Sequence, residues 1–228
     1  MYTMVGNSVW ELVKASDGAT IAILLVLLCM SLICWSVFFY KLMVINNHEK
    51  TLQQASANLG QIKSFDGFIS FAAQFKDTLP GALFNKVITA VTTLLHTPFM
   101  IKNELNERDF ELYSLVMDKT LDETMQEQQE YMGILLVTAA VSPLLGLFGT
   151  VWGLIHAFLR ISEKQSADIV TVAPGVAEAL ITTLAGLLVA IPAVMMFHYL
   201  QIRLRKLDFQ LSSLTDACSW IVRQIFVR

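Results

Sequence analysis

The chain has 228 residues, 55% of them hydrophobic and 15% charged, with a formal net charge of −3. So few charges, against roughly 25% in soluble domains, together with a mean hydropathy of +0.57, exclude an ordinary soluble globule. The slight acidic excess argues against a nucleic-acid partner. Cys29, Cys34 and Cys218 make no paired framework; two of them fall in one apolar run, so they read as small apolar fillers.

Residues 1–18 carry Glu11, Lys14 and Asp17 ahead of the first long apolar run, 19–40. That run has no charge and ends in Trp35, Phe38, Phe39 and Tyr40, then Lys41. A signal peptide would show a basic start, a shorter apolar stretch and a small-residue cleavage site. The pattern predicts a retained membrane span with an aromatic interfacial anchor. Residues 41–130 are soluble in character and read as a helical region. Within it lie an aromatic-rich stretch from Phe65 to Phe75, a turn at Leu79-Pro80-Gly81 and a one-sided apolar helix from Leu83 to Leu95. An acidic helix follows from Asn103 to Glu130, with Leu105, Leu112 and Val116 at helical spacing. No proline separates it from the second span, 131–159, so the two are compatible with one continuous helix. A short linker, 160–169, leads to the third span, 170–200. The tail, 201–228, repeats Leu204, Leu207, Leu211 and Leu214 at helical spacing and is expected to extend that span. The second and third spans exceed the roughly 20 residues a bilayer requires. The fold class is all-α: three membrane helices, two of them long and continuing into the cytoplasm.

Orientation follows from the basic residues. Lys14, Arg160 and Lys164 fall on one side and the remainder of the 16 lysines and arginines on the other. The positive-inside rule then places the 41–130 region and the tail in the cytoplasm, and the N-terminus and the 160–169 linker outside. Arg203, Arg205 and Lys206, directly after the third span, point the same way.

Two constellations lie in the spans. "SPLLGLFGTVWG", in span two, repeats Ser142, Gly146, Gly149 and Gly153 at intervals of four, three and four, a stripe that lets helices approach closely in lipid. Pro143 frees a backbone carbonyl one turn earlier, and Thr150 flanks the stripe. Span three holds Glu178, Thr182, Thr183 and Gly186, with Glu178 the sole acidic residue of the three spans. A carboxylate in lipid costs at least a few kcal/mol, and no lysine or arginine lies within the spans to pair it. It persists by facing a wet cavity, by pairing, or by holding a proton. Three readings stay open: snorkelling to the outer headgroups, a structural hydrogen bond between helices, and a place on an ion path, which the lone carboxylate beside a small-residue stripe favours. The threonines have a plain alternative in bonding their own backbone. His156 and His198 lie near span ends and read as interfacial. No metal-ligand spacing, no nucleophile with a base and no phosphate-binding loop occurs, so no enzyme activity, cofactor or metal is expected.

"SPLLGLFGTVWGLIHAF" followed by "VAPGVAEALITTLAGLLVAIPAV" closely resembles the TolQ/ExbB proteins, more distantly related to MotA, and the TolQ branch more than the ExbB branch. The resemblance implies a proton-driven motor subunit of the bacterial inner membrane. It would assemble as a homopentamer around a single-span TolR/ExbD-like partner that carries an aspartate, and act on a TolA-like or TonB-like protein. The pore-lining residues it implies are Glu178, Thr150 and Thr183. This sequence departs in having Thr182 before Thr183. On an ideal helix Thr182 lies about 40° from Glu178 and Thr183 about 140°, so Thr182 is the nearer companion. The Tol branch implies maintenance of the outer membrane and its constriction at division. The Exb branch implies energised uptake of iron complexes and vitamin B12. A scaffold that only organises partners is a reading from a different class.

Overall fold

The computed structural model describes residues 17–60, 62, 64–97, 100–101, 105–164 and 169–226. Most of the N-terminal segment, part of the 160–169 linker, and Lys63, Lys102 and Arg228 of the charge count lie outside the described residues.

The described chain is helical apart from one two-residue ladder. Helix α1 spans Gly18–Leu59, α2 Phe65–Ala73, α3 Leu79–Leu95, α4 Glu107–Gln129, α5 Met132–Lys164 and α6 Ile169–Phe226. Between α3 and α4, β1 (His96–Thr97) pairs antiparallel with β2 (Met100–Ile101), His96 opposite Ile101. Three helices are long and apolar enough to cross a bilayer: α1, Met132–Ser162 of α5 and Val172–Phe226 of α6. The spans are apolar on nearly every side, and only 17–28% of their most apolar windows is buried within the chain. Leu28, Leu32, Phe148, Leu180 and Leu188 are among the residues left exposed, as expected of helices whose solvent is lipid.

The chain divides into two compact units. The first comprises residues 17–40 and 131–199 and holds the apolar runs; the second comprises 41–130 and 200–226. In the first, Ile23, Leu27 and Cys34 of α1, Leu135 and Ser142 of α5, and Ala179, Ala190 and Ala193 of α6 are buried. The three alanines are small for a core, as where helices pack through backbone rather than through bulky side chains; Glu178, Thr182 and Met196 of α6 are buried as well.

The second unit packs like a soluble core. Phe84 is fully buried, with the rings of Phe68, Phe71 and Phe75 around it at 5.5, 5.6 and 6.1 Å. The leucine repeat of α6 faces inward throughout: Leu204, Leu207, Leu211 and Leu214 are at most 5% exposed. The Arg203 guanidinium bonds both oxygens of Glu49, Nη2 to Oε2 at 2.7 Å and Nε to Oε1 at 3.3 Å, and Nη2 also reaches Asn46 Oδ1 at 2.6 Å. This fork is the geometry that suits arginine to a largely buried carboxylate. Lys41, 4% exposed, donates from Nζ to Gln128 O at 3.0 Å. A cation therefore meets the C-terminal carbonyls of α4, a helix with no basic residue in its own last turn.

Three sequence expectations are corrected. The acidic helix and the second span are two helices: Glu130 leaves the helical region at ψ 146° and Tyr131 adopts φ 66°. The left-handed region ends helices even where, as here, the residue is not glycine. Leu79-Pro80-Gly81 is the first turn of α3 and not a separate turn; proline suits that position because its missing N–H has no partner there anyway. The buried stripe of α4 is Tyr113, Met117 and Thr120, whereas Leu112 and Val116 are half exposed.

Leu207 is fully buried and Phe209 is 75% exposed on the same helix. Leu207→Ala is expected to destabilise the second unit by about 2–5 kcal/mol, and Phe209→Ala by less than about 0.5 kcal/mol. Thermal unfolding of the purified full chain in detergent checks the contrast; equal losses would contradict this packing.

Candidate functional site

The site is built on the seam between α5 and α6. Gly149 leaves no room for a side chain: a Cβ there would lie 2.6 Å from Thr182 Cβ and overlap its hydroxyl. A Cβ on Gly153 would lie 2.9 Å from Ala179 Cβ, and one on Gly186 would lie 2.5 Å from Ser142 O. Gly146 faces the backbone of Thr182, Thr183 and Gly186. Ser142, Gly146, Gly149 and Gly153 of α5 thus meet Gly186, Thr182 and Ala179 of α6. The sequence showed the α5 half of this stripe. Of the α6 half it marked Gly186 as a packing residue; the rest of that half, with Gly175 against Ala157, was missed, although Gly175, Ala179, Thr182 and Gly186 repeat at the same intervals. Pro143 lies inside α5, and Ser142 Oγ, fully buried, donates to Thr138 O at 2.6 Å.

The three threonines have different partners. Thr150 Oγ1 donates to Leu147 O of its own helix at 2.7 Å. Thr182, fully buried, donates to Ala179 O at 2.7 Å and lies 3.4 Å from Gly146 O. Thr183 Oγ1 crosses the seam to Gly146 O at 3.0 Å. The carbonyl of Gly146 is free to accept because Thr150, four residues on, turns its hydroxyl elsewhere. Backbone self-bonding accounts for Thr150, partly for Thr182, and not for Thr183.

Glu178 is 5% exposed. Among the described residues no hydrogen bond or ion pair reaches its carboxylate. Its position follows from its neighbours in the seam. Ala179 faces Gly153 and Gly175 faces Ala157, so Glu178, about 100° from Ala179 and about 60° from Gly175, points to one flank. Thr150 and Thr183, each about 100° past a seam residue in the other direction, lie on the opposite flank. Thr182 stands in the seam against Gly149, with Glu178 on one flank and Thr150 and Thr183 on the other.

A second polar cluster lies on the Glu178 flank. Asp17, immediately before α1, accepts from Trp152 Nε1 at 3.1 Å and has His156 Nε2 3.6 Å from the same oxygen. The Trp152 and His156 rings lie 5.0 Å apart. The Trp152 hydrogen bond holds the Asp17 carboxyl below the usual aspartate range against the opposing effect of burial, helped by the Gly18 N–H and by His156 and Arg160. Asp17 therefore keeps its charge until the pH falls below that range. His198, by contrast, is exposed and meets the ring of its neighbour Phe197 edge-on. Asp17 escaped notice in the sequence because its partner is 135 residues away. The signal was Trp152 and His156 at i, i+4, which share a helix face.

The described residues contain no group of three or more histidines, cysteines and carboxylates that could hold a metal.

Residues 84–212 match the family described as "MotA/TolQ/ExbB proton channel family". The chain is similar to the biopolymer transport protein ExbB of Salmonella typhimurium, 29% identical over 84% of this chain and 76% of the relative. It is also similar to the Tol-Pal system protein TolQ of Haemophilus influenzae, 40% identical over 48% of this chain and 49% of the relative. With TolQ of Pseudomonas aeruginosa the identity is 50%, over 28% of each chain.

Because a Cβ at Gly149 would collide with Thr182, Gly149→Ala is expected to cost about 1–3 kcal/mol. Gly133, with open space around it, takes alanine without loss. The thermal midpoints of the two variants in detergent check this, and an unchanged Gly149→Ala protein would show that the seam is not closely packed.

Proposed function

The chain belongs to the MotA/TolQ/ExbB proton channel family, and we propose that it is the multi-span subunit of a proton-motive-force-driven motor of the Tol–Pal type. The observation that carries this reading is Glu178, a carboxyl 5% exposed in an otherwise apolar stretch of helix and without a hydrogen bond or ion pair to another of the described residues. Moving one charge through 100 mV yields about 2.3 kcal/mol. A group that binds and releases protons part-way across is how a protein converts that energy.

On this reading the chain lies in the inner membrane with its N-terminus outside and residues 41–130 and 201–228 in the cytoplasm, as the lysine and arginine distribution favours. It forms a homopentamer around a TolR/ExbD-like single-span partner, with Glu178, Thr150, Thr182 and Thr183 along the ion path. Output passes to a TolA-like protein that maintains the outer membrane and draws it in at division. The 40% identity to a TolQ relative over 48% of this chain supports the Tol branch, whereas over 28% and 27% of the chain TolQ and ExbB relatives match alike, at 50% and 49%. The longer span of similarity to ExbB keeps a second reading, energised uptake of iron complexes and vitamin B12 through a TonB-like protein.

In a strain lacking the chain, wild type is expected to restore detergent tolerance and retention of periplasmic proteins, and Glu178→Gln to leave both at the deletion level. Rescue by Glu178→Gln at matched membrane levels would make the chain a scaffold without an energised role. A deletion with an intact envelope and impaired uptake of iron complexes would move the chain to the Exb branch.

A further inference from the structure

We propose that His156, held by Asp17 and Trp152, is the group that takes up protons at the outer end of the path to Glu178; the inference rests on the proton-channel reading above. Three features of the structure support it.

The first is the composition of the cluster. His156 Nε2 lies 3.6 Å from a carboxylate oxygen, and the imidazole ring lies 5.0 Å, centre to centre, from an indole ring, the two kinds of neighbour that attract a cation. Asp17 in turn is fixed by the Trp152 N–H at 3.1 Å. The second is access. The side chains of His156 and Asp17 are 35% and 38% exposed at the outer end of the span, where the bilayer interface carries water, whereas Glu178 is buried.

The third is position. His156 adjoins Ala157, which packs on Gly175, and Gly175 precedes Glu178 by three residues, about 4.5 Å along the axis. In antiparallel helices that meet along one seam, the residue before a seam position points to the same flank on both. His156 precedes Ala157 and Glu178 precedes Ala179, so imidazole and carboxyl share the flank on which Asp17 lies. Among the described residues the charged or titratable groups on the flank of the imidazole are Asp17 before α1, Arg160 one turn along α5, and Glu178 on α6; residues 169–177 carry none in sequence.

The step balances without a further reactant. Imidazole takes a proton from water at the outer surface and becomes imidazolium, with Asp17 remaining a carboxylate. It then gives a proton, directly or through water, to the Glu178 carboxylate, which becomes the neutral acid as the imidazole returns to its neutral form.

A collecting group matters most where free protons are scarce, and a mere latch matters equally at every pH. The full chain is expressed in the deletion strain as wild type, His156→Gln, Asp17→Asn or Glu178→Gln, at matched membrane levels. Whichever output wild type restores is measured at external pH of about 5.5 and about 7.5, across which external protons become about a hundredfold scarcer. Glu178→Gln is expected to fail at both. His156→Gln is expected to lose severalfold more of the wild-type output at the higher pH than at the lower, and Asp17→Asn to fall in the same direction by less. Equal losses for His156→Gln at both values would make the cluster a structural latch, and wild-type behaviour at both would remove His156 from the path; either overturns the proposal while leaving the channel reading intact. Activity of Glu178→Gln would instead overturn that reading.

Discussion

The membrane-spanning unit depends on how closely α5 and α6 approach. Lipid offers no hydrophobic force to press two apolar helices together, so contact has to come from complementary shape and from hydrogen bonds. Glycine at 146, 149, 153 and 186 removes the side chains that would hold the backbones apart, and Thr182 and Thr183 use the proximity to reach the Gly146 carbonyl. The two effects are linked. A threonine hydroxyl extends only a short way from the backbone, and it reaches the next helix only where that helix presents no Cβ.

The same seam determines what Glu178 experiences. A carboxyl on a lone helix in lipid would snorkel to the headgroups, as the sequence left open. Here Glu178 stands beside a contact too tight to admit a side chain, and it is buried by the chain's own helices. Burial without a fixed partner is costly for a carboxylate and modest for a carboxylic acid. The second unit solves the equivalent problem oppositely. Glu49, also buried, is bonded at both oxygens by Arg203 and approached by Lys206 at 3.7 Å. One buried glutamate is held by cations for architecture; the other meets no cation among the described residues.

The features legible in the sequence were those written in composition and period. Hydropathy alone identifies three helices fit to cross a bilayer, and the leucine repeat at 204, 207, 211 and 214 marks a buried face that the structure confirms. Glu178 stands out because a charge in an apolar run has a cost. What escaped depends on pairing or on backbone conformation. Nothing in the letter of Tyr131 announces a left-handed residue, so the break between α4 and α5 was invisible. The buried stripe of α4 lay one position away from the leucine and valine pattern because its core position is filled by Tyr113, and an aromatic with a polar tip is a weak periodicity signal. Asp17 looked like a loop residue until α5 brought Trp152 and His156 to it.

The energy scale ties these observations together. One proton driven through 100 mV supplies about 2.3 kcal/mol, close to the cost of a single overpacked contact, about 1–3 kcal/mol. A loosely packed pair of helices would take up that energy by sliding or parting. A seam with no free volume at Gly149 and Gly153 resists such local yielding, so on the proposed reading a change of charge at Glu178 is felt at the surfaces the helices present to their partners. Small residues on one side of Glu178 and a solvent-reachable histidine on its flank are then parts of one requirement: the proton has to arrive, and its energy has to remain available for work beyond the site that binds it.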